Sequence, residues 1–334
     1  MKKPTIKDIA KKAGVGIGTV SRVINNSGYV AEETRKRIEA AIEELGYQPD
    51  PTARGLVSGS TGMISIVVPM IRTEFYDRLV EAIDGFLAVN SYDTVIFPLL
   101  SKRRLQRFSS RSAFLYRTDG IIMASMPVHK LFENGEVPTD RPVVLIDMYS
   151  NKYDSIYIDN LEIGKLAANI LLEHTTNLYV LTFIEPETVF TSDVFKKRVS
   201  GFQKLLRDRG IELTNSRIFH SELDLHYAFS QAMQILKKIK KFPAGIFAAC
   251  DLFGYGIILA AKNLGIEIGK DLFVVGVDDQ SWSEDIGLTT IRQPVEEMST
   301  MATEILLHRI TKGKAYGKQK KVNFDPIIIR RASA

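Results

Sequence analysis

Residues 5–25 of the chain read TIKDIAKKAGVGIGTVSRVIN, and this stretch decides the fold of the N-terminal region. Thr5, with Asp8 three residues later, resembles a capping box that starts a helix. Apolar residues then recur at helical spacing, and Gly14 ends the helix because glycine adopts a left-handed conformation without steric cost. A second short helix follows. Two short helices joined by a glycine-bearing turn predict a helix-turn-helix, whose second helix lies in the major groove of DNA.

The placement of charge distinguishes this motif from an ordinary pair of helices. Residues 1–30 carry six lysines and arginines against one acid, so their net charge equals the +5 of the whole 334-residue chain. A cationic end on an otherwise balanced protein is typical of a nucleic-acid binder.

The next segments predict a third helix and a linker. Residues 32–45 have an apolar helical face, and Gly46 follows them, so three helices would enclose one small core. Asp50 before Pro51 predicts a further helix start, but a helix of about two turns is marginal in isolation. Free in solution, residues 50–60 would be a flexible linker. On DNA they would become a hinge helix whose Leu56 enters the minor groove and kinks the duplex.

Thr5 to Leu56 resembles the DNA-binding headpiece and hinge of the lac repressor family (LacI/GalR). The matching segments include TIKDIA at 5–10, AGV at 13–15, TVSRVIN at 19–25 and ARGL at 53–56. The resemblance implies that Ile17, Gly18 and Arg22 read base edges and that Leu56 intercalates. It also implies contacts to phosphates, or orientation on them, by a set of polar residues: Thr5, Thr19, Ser21, Asn25, Thr34 and Tyr47.

Four positions depart from the family pattern, and one of them is Ala31, which replaces a usual polar residue. Gly16 stands where the family usually has a serine that caps the recognition helix, and glycine in that place costs only a few tenths of a kcal/mol. Gly18 has no side chain with which to read a base, so Arg22 is the main candidate for a bidentate guanine contact. Asp50 replaces a usual amide and would repel a nearby phosphate.

From Gly62 onward, buried strand-like runs alternate with amphipathic helices. The predicted strands are 63–70, 94–100, 120–124 and 142–147, followed by 179–184, 217–220, 245–250 and 272–277. This alternation predicts parallel, doubly wound sheets. Two such α/β units in tandem resemble the periplasmic-binding-protein-like core of the same family. The expected fold is therefore an all-α helix-turn-helix headpiece followed by an α/β core of two doubly wound parallel-sheet lobes.

The expected domains are a headpiece at 1–49, a hinge at 50–60, and an effector-binding and dimerisation core at 61–334. The resemblance implies that the chain crosses between the lobes of the core several times. Lobe 1 would then contain residues 61–160 and 292–318. Lobe 2 would contain residues 161–291 and 319–334.

A small-molecule effector is expected between the lobes, because ligands bind at the carboxyl ends of strands in open α/β sheets. The resemblance places Phe75 and Tyr76 where the family stacks an aromatic ring, although either could begin a core-facing helix. Arg198 has a planar donor fork that suits a carboxylate, a phosphate or paired hydroxyls; an interlobe ion pair is the alternative. Asp278 would accept from hydroxyls and Trp282 would support a pyranose ring. The remaining candidates are Arg72, Phe190, Ser192 and Asp193.

Composition argues against several other classes of protein. No apolar run has the length of a membrane span and no secretory signal precedes the headpiece, so we expect a cytoplasmic protein. The single cysteine, Cys250, excludes an intramolecular disulfide framework. Gly254 and Gly256 faintly resemble a dinucleotide fingerprint but lack its third glycine, and we expect them to serve close helix–strand packing. We expect no metal, no cofactor and no enzymatic activity.

These observations predict a sequence-specific DNA-binding transcriptional regulator, most simply a repressor. A homodimer on a palindromic operator is expected, because one short recognition helix cannot supply sufficient affinity. The effector would be a sugar or sugar derivative; the alternatives are a purine or nucleoside effector, or activation in place of repression. A solute-binding protein and a nicotinamide-dependent enzyme are rivals from other classes.

Overall fold

The computed structural model describes residues 4–25, 27–47, 60–71, 73–99, 102–108, 117–183, 193–312 and 317–334. The chain forms two compact units, Met1–Thr61 and Gly62–Ala334. The predicted hinge helix and its Leu56 lie outside the described residues.

The described residues of the first unit form three helices: α1 (Ile6–Ala13), α2 (Ile17–Ile24) and α3 (Glu32–Leu45). The Asp8 carboxylate accepts hydrogen bonds from the Thr5 backbone N–H at 2.8 Å and from its hydroxyl at 2.7 Å, as expected of the capping box. Gly14 ends α1 with a φ of 66°. Ile9, Val20 and Ile38, one from each helix, are fully buried in a shared core. The predicted helix-turn-helix is confirmed.

Lobe 1 of the second unit is built on a six-stranded sheet with the order β11-β5-β4-β3-β1-β2. All of its strand pairs are parallel. The strands are β1 (Met63–Val68), β2 (Asp93–Pro98), β3 (Gly120–Ala124), β4 (Val143–Ile146), β5 (Asp154–Ile158) and β11 (Lys321–Phe324). The helices are α4 (Glu74–Val89), α5 (Lys102–Phe108), α6 (Val128–Leu131) and α11 (Val295–Lys312).

Lobe 2 has a second six-stranded sheet with the order β12-β10-β9-β8-β6-β7. Only the β10–β12 pair is antiparallel among its described pairs. The strands are β6 (Leu178–Phe183), β7 (Ile218–Ser221), β8 (Ala244–Ala248), β9 (Leu272–Val277), β10 (Thr289–Arg292) and β12 (Ile327–Ile329). The helices are α7 (Asn160–Leu172), α8 (Val194–Asp208), α9 (Leu225–Lys238) and α10 (Asp251–Leu264).

Successive residues of the central strands point into different cores. In β3, Ile122 packs into one hydrophobic cluster of lobe 1, whereas its neighbours Ile121 and Met123 pack into the other. Lobe 2 has the same arrangement around β8. Both faces of each sheet are therefore covered, which explains why these strands read as continuous apolar runs.

One expectation about the core was wrong, and one strand of lobe 1 was missed. Residues 319–334 were assigned to lobe 2, but β11 pairs in parallel with β5 and so belongs to lobe 1. Only β12 and the residues after it lie in lobe 2. The strand β5 itself was not predicted, because its sequence DSIYI is short and mixes polar with apolar residues.

The two glycines after Cys250 also pack differently from the expected helix–strand contact. A Cβ at Gly256 would lie 2.8 Å from Ala228 of α9, so this glycine allows a close approach of two helices. A Cβ at Gly254 would lie 2.7 Å from the side chain of Leu288. The spacing suggested the close packing, and the tertiary fold decided the partners.

Candidate functional site

The recognition helix α2 buries one face and exposes the other. Val20 and Val23 are buried in the core of the first unit. Ile17 is 45% exposed although it is a large apolar residue, and Gly18 and Arg22 are exposed beside it. An uncovered apolar side chain next to a guanidinium is chemically suited to base edges, which present both methyl groups and hydrogen-bond acceptors.

The start of α2 lacks a side-chain cap. Gly16 occupies the N-cap position in an extended conformation, with φ −72° and ψ 151°, and no side chain bonds to the first turn. A Cβ at Gly16 would meet nothing within 4 Å. Backbone hydrogen bonds alone close this turn, with the Thr19 and Val20 N–H groups donating to the Gly16 carbonyl at 2.9 and 3.2 Å.

The predicted phosphate-binding residues take several roles within the unit. Asn25 donates to the Ser21 hydroxyl at 3.2 Å, so these two side chains support one another along α2. The Thr5 hydroxyl is engaged in the capping box. Thr34 accepts from Arg37 at 3.5 Å on α3. Thr19 and Tyr47 are half-buried, and Tyr47 packs against the core of the unit.

A cavity of about 350 Å³ lies between the two lobes of the second unit. Its lobe 1 wall comes from the start of α4, including Phe75 and Tyr76, and from Asp147 after β4. Its lobe 2 wall follows the carboxyl ends of the strands, as expected for an open α/β sheet. The residues of that wall include Phe183, Phe195, Arg198, Cys250, Tyr255, Asp278, Gln280 and Trp282.

Arg198 forms the cationic centre of the cavity floor. It projects from α8 and is 3% exposed. Its Nε donates to Asn160 Oδ1 at 2.9 Å and its Nη1 donates to the Ala249 carbonyl at 2.8 Å. Its Nη2 lies 3.5 Å from Asp278 Oδ1. These partners all belong to lobe 2, so Arg198 is not an interlobe ion pair, and two of its nitrogens are already engaged by protein acceptors.

Two buried carboxylates flank this guanidinium. Asp147 accepts from the Ser125 hydroxyl at 2.6 Å, and Asp278 accepts from Gln293 Nε2 at 2.7 Å. Burial raises the pKa of both carboxyl groups above the ordinary value, and Arg198 opposes the shift in each case. The Gln293 Oε1 has no partner although the residue is 1% exposed. Asp147 and Asp278 therefore give the floor acceptors, and Arg198 gives it a donor group.

A third acid, Asp251, lies behind the floor. Its carboxylate accepts hydroxyl hydrogen bonds from Ser283 and Thr290, each at 2.6 Å, and from the Gln280 N–H at 3.0 Å. Burial, reinforced by the charge of Asp278, raises the pKa of Asp251 from 3.8 to about 7. This carboxyl group supports the loop that carries the lining residues Gln280 and Trp282.

Aromatic and aliphatic side chains form the rest of the cavity. Trp282 packs against Tyr255 with ring centroids 5.0 Å apart. Phe75 and Tyr76 make an edge contact at 5.1 Å, and each is 8% exposed. Both therefore line the cavity and also belong to the core of lobe 1. Burial raises the pKa of Tyr76, so its hydroxyl stays protonated and can act as a donor.

Several polar contacts join the lobes around this cavity. The Glu74 carboxylate of lobe 1 accepts from the Ser281 N–H at 2.7 Å and from its hydroxyl at 3.1 Å. Lys130 of lobe 1 forms an ion pair with Asp193 of lobe 2 at 2.6 Å. Asn160 Nδ2 lies 3.5 Å from Asp147 Oδ1. The lobes are thus held together in this conformation by contacts at the edges of the cavity.

Comparison with known proteins identifies both parts of the chain. Residues 5–50 match the family model described as bacterial regulatory proteins, lacI family, and residues 172–334 match a periplasmic binding protein-like domain. A solved structure described as a probable transcription regulator from Thermus thermophilus is 34% identical, with a TM-score of 0.68 over 81% of this chain and 97% of that chain. The chain belongs to the LacI family.

Full-length LacI-family relatives support the same assignment. The repressor PurR of Pectobacterium atrosepticum is 29% identical over 98% of this chain and 96% of its own length. The regulator DegA of Bacillus subtilis is 29% identical over 99% of this chain and 98% of its own length. The lac repressor dimer bound to operator has the same fold, with a TM-score of 0.78 at 23% identity over 99% of each chain. The protein is therefore a DNA-binding transcriptional regulator with an effector-binding core.

These relatives are transcriptional regulators and not enzymes. Among the described residues, no helix has the length and apolar composition needed to cross a membrane.

Within this LacI-family core, the structure brings five of the nine predicted effector residues to the cavity: Phe75, Tyr76, Arg198, Asp278 and Trp282. Asp193 is not among the lining residues of this cavity; it pairs with Lys130 and lines a neighbouring depression that shares Asp147 and Val194 with the cavity. Its role in the effector site stays a prediction. Arg72, Phe190 and Ser192 lie outside the described residues.

Asp147 and Gln293 were missed as lining residues. Both directly follow strands, β4 and β10, at the edge where parallel sheets bind ligands. Ligands bind at the carboxyl ends of parallel strands, and Asp147 lies at the end of a strand that was predicted from the sequence. Considering the end of every predicted strand would therefore have identified Asp147 as a candidate. Asn160, which links Arg198 to Asp147, was also not predicted as a site residue.

Proposed function

We propose that the protein is a homodimeric repressor whose affinity for a palindromic operator is controlled by a neutral, polyhydroxylated small molecule bound between the lobes. The observation that carries the effector part is the pair of buried carboxylates, Asp147 and Asp278, on the cavity floor. Carboxylate oxygens of this kind accept from sugar hydroxyls. Trp282, which packs against Tyr255 and lines the same cavity, supplies an aromatic ring for a pyranose face.

An anionic effector fits less well. Arg198 already donates to Asn160 and Ala249, and two carboxylates face the remaining space. A phosphate or carboxylate placed there would meet like charge in a buried setting, which is unfavourable. This argues against sugar phosphates in favour of uncharged sugars.

The alternative effector is a purine, which would stack on an aromatic ring. Phe75, the expected platform, is 8% exposed and packs against Tyr76 and the lobe 1 core, so little of its ring remains for stacking. Two structural neighbours carry sugars according to their descriptions, a CelR–cellobiose complex and a LacI-family regulator from Enterococcus faecium with bound ribose. We therefore favour a carbohydrate.

The effector would control operator binding because it binds the open and closed forms of the core with different affinities. The lobes approach one another through Glu74, Lys130 and Arg78, which lie on the lobe 1 side. A ligand that favours one lobe angle shifts the population toward it. That shift would help or hinder formation of the paired hinge helices on DNA, with Leu56 as the minor-groove wedge. Regulation of this kind takes place on the chromosome, so we place the protein in the cytoplasm.

A thermal-shift screen tests the effector part. Full-length protein would be titrated with cellobiose, ribose, glucose, glucose 6-phosphate, guanine and hypoxanthine. We expect an uncharged sugar to raise the melting temperature, since a ligand that binds only the native state stabilises it by mass action. A rise with the phosphate or with a purine, and none with any sugar, would overturn the carbohydrate proposal.

A binding titration tests the DNA part. A palindromic duplex selected from random sequence would be compared with a scrambled duplex at several salt concentrations. We expect tighter, salt-sensitive binding to the palindrome, and Leu56→Ala to weaken it without changing effector affinity. Equal affinity for both duplexes would contradict operator recognition.

A further inference from the structure

The last residues of the chain are built into the core of lobe 2. Ser333 is fully buried. Its hydroxyl donates to the Val274 carbonyl at 2.6 Å and accepts from the Thr289 N–H at 2.8 Å. Its backbone carbonyl and N–H bond to Val274 and Gly287. These contacts fix the terminal segment between the strands β9 and β10.

Arg331 extends from this fixed segment to the acid beside the cavity. Its Nη1 donates to the Leu288 carbonyl at 2.9 Å. Its Nη2 lies 2.8 Å from Asp279 Oδ1 as an ion pair that lacks the alignment of a hydrogen bond. Arg292 donates to the other oxygen of the same carboxylate at 2.7 Å. The side chains of Arg331 and Asp279 are 15% and 6% exposed. Asp279 is therefore held between two arginines at the end of β9.

The backbone at this point needs such support. Asp278 and Asp279 have φ angles of 110° and 52°, in the region that L residues rarely adopt. Such conformations persist only when surrounding contacts determine them. The backbone carbonyl oxygens of Asp278 and Asp279 each lie 3.4 Å from Arg78 Nη1. The Asp279 N–H donates to the Thr290 hydroxyl. The carboxylate of Asp279, paired with both arginines, supplies a further anchor.

We propose that Arg331 is a positioning residue for the effector cavity. By holding Asp279 it fixes the left-handed turn that places the Asp278 carboxylate on the cavity floor and starts the loop leading to Trp282. Arg331 itself is not among the lining residues of the cavity. The role in effector binding depends on the proposed function of the cavity, whereas the role in positioning the turn does not.

Trp282 allows a test that needs no ligand. It is the single tryptophan of the chain, lies four residues after Asp278 and lines the cavity. Its emission and acrylamide quenching would be measured in wild type, Arg331→Gln and the matched control Arg330→Gln, well below each melting temperature. Arg330 pairs with Glu173 and lines no part of the cavity. We expect red-shifted, more readily quenched emission in Arg331→Gln and unchanged emission in the control.

A double-mutant comparison separates positioning from general stability. If Arg331 acts through Asp279, then Asp279→Asn should reproduce the change at Trp282, and the double variant should add little to it. Arg331→Lys keeps the positive charge but lacks the planar guanidinium, so its Trp282 emission should lie between those of wild type and Arg331→Gln. If Arg331→Gln does not fold, Arg331→Lys takes its place in the comparison. Identical Trp282 spectra in all folded variants, with only melting temperatures lowered, would overturn the proposal.

Ligand binding provides the second measurement. With any sugar that stabilises the wild type, Arg331→Gln should weaken binding by about tenfold, in line with the loss of a charge-assisted contact. If no sugar binds, the carbohydrate proposal fails while the Trp282 measurement still decides the role of Arg331. A sugar that binds both proteins equally would contradict positioning.

Discussion

Asp251 is a carboxyl group behind the cavity whose ionisation is altered by burial. It is fully buried, and its pKa is raised to about 7 although three donors reach it. In the unfolded chain the same carboxyl group titrates near 3.8. Between these two values the folded protein binds a proton that the unfolded chain has released. The stability contributed by that proton is fully present below pH 3.8 and is lost as the pH rises through about 7.

Replacement by asparagine should remove this pH dependence. Asp251→Asn keeps the shape of the side chain but cannot titrate. We expect the difference in melting temperature between wild type and variant to change in favour of the variant as the pH rises from 4 to 8. Calorimetry at four pH values in matched ionic strength would measure it. A difference that stays constant with pH would show that the Asp251 pKa lies outside this interval.

Arg22 is the residue on which base recognition should depend. It is exposed beside Ile17 and Gly18, which offer no hydrogen-bonding side chain. We expect Arg22→Gln to cost about 1–3 kcal/mol of specific binding and to affect a scrambled duplex far less. Lys11→Gln, on the exposed side of α1, should weaken both duplexes alike. Equal losses for Arg22→Gln on both duplexes would assign it to phosphate contact.

At the scale of the secondary-structure element, a single substitution at the start of the recognition helix should increase the stability of the headpiece. Gly16 has an extended N-cap conformation and free space around it. We expect Gly16→Ser to add a side-chain cap and stabilise the headpiece by a few tenths of a kcal/mol. Gly14→Ser, at φ 66°, should destabilise it because that backbone is strained for serine. Thermal unfolding followed by circular dichroism would show two shifts of opposite sign.

Helices α7 and α8 cross at a pair of glycines. A Cβ at Gly164 would lie 1.9 Å from the Arg198 carbonyl, and one at Gly201 would lie 1.9 Å from the Leu161 carbonyl. The backbones are therefore in contact at the turn of α8 that carries Arg198. This crossing links the packing of lobe 2 to the geometry of the cavity floor.

We expect Gly201→Ala to force the two helices apart, to lower the melting temperature and to weaken effector binding through Arg198. Gly85→Ala is the matched control, because a Cβ there meets nothing within 4 Å on the exposed face of α4. That change should stabilise the protein by roughly 0.5–1 kcal/mol. Unfolding in urea and ligand titration would be compared. A Gly201→Ala protein as stable as wild type would contradict the close crossing.

At the scale of the whole molecule, the contact between Glu74 and Ser281 should bias the angle between the lobes. Glu74→Ala removes both of its hydrogen bonds across the cavity edge. We expect a shift toward the open core, seen as a larger radius of gyration in X-ray scattering of the full chain. Glu81→Ala, on the exposed face of α4, should leave the radius unchanged. Equal radii for all three proteins would show that this contact does not influence closure.

Local sequence was sufficient for the headpiece and for most elements of the core. The capping residues Thr5 and Asp8, and Gly14 with its left-handed φ, act on neighbours within one turn, so their effect can be read from spacing alone. Continuous apolar strands likewise indicate a sheet that is covered on both faces. Phe75, Arg198 and Asp278 were found because the resemblance to the family carried their positions.

Tertiary structure alone decided which distant residues meet. Long-range packing places β11 in lobe 1 and pairs Asp193 with Lys130. It also brings Asp147 and Gln293 to the cavity floor and Arg331 to Asp279. Hydrophobic periodicity indicates which face of an element is buried, but the partner of that face is chosen by the free energy of the whole folded chain. A side chain such as Asp193 therefore looks the same in sequence whether it binds a ligand or holds two lobes together.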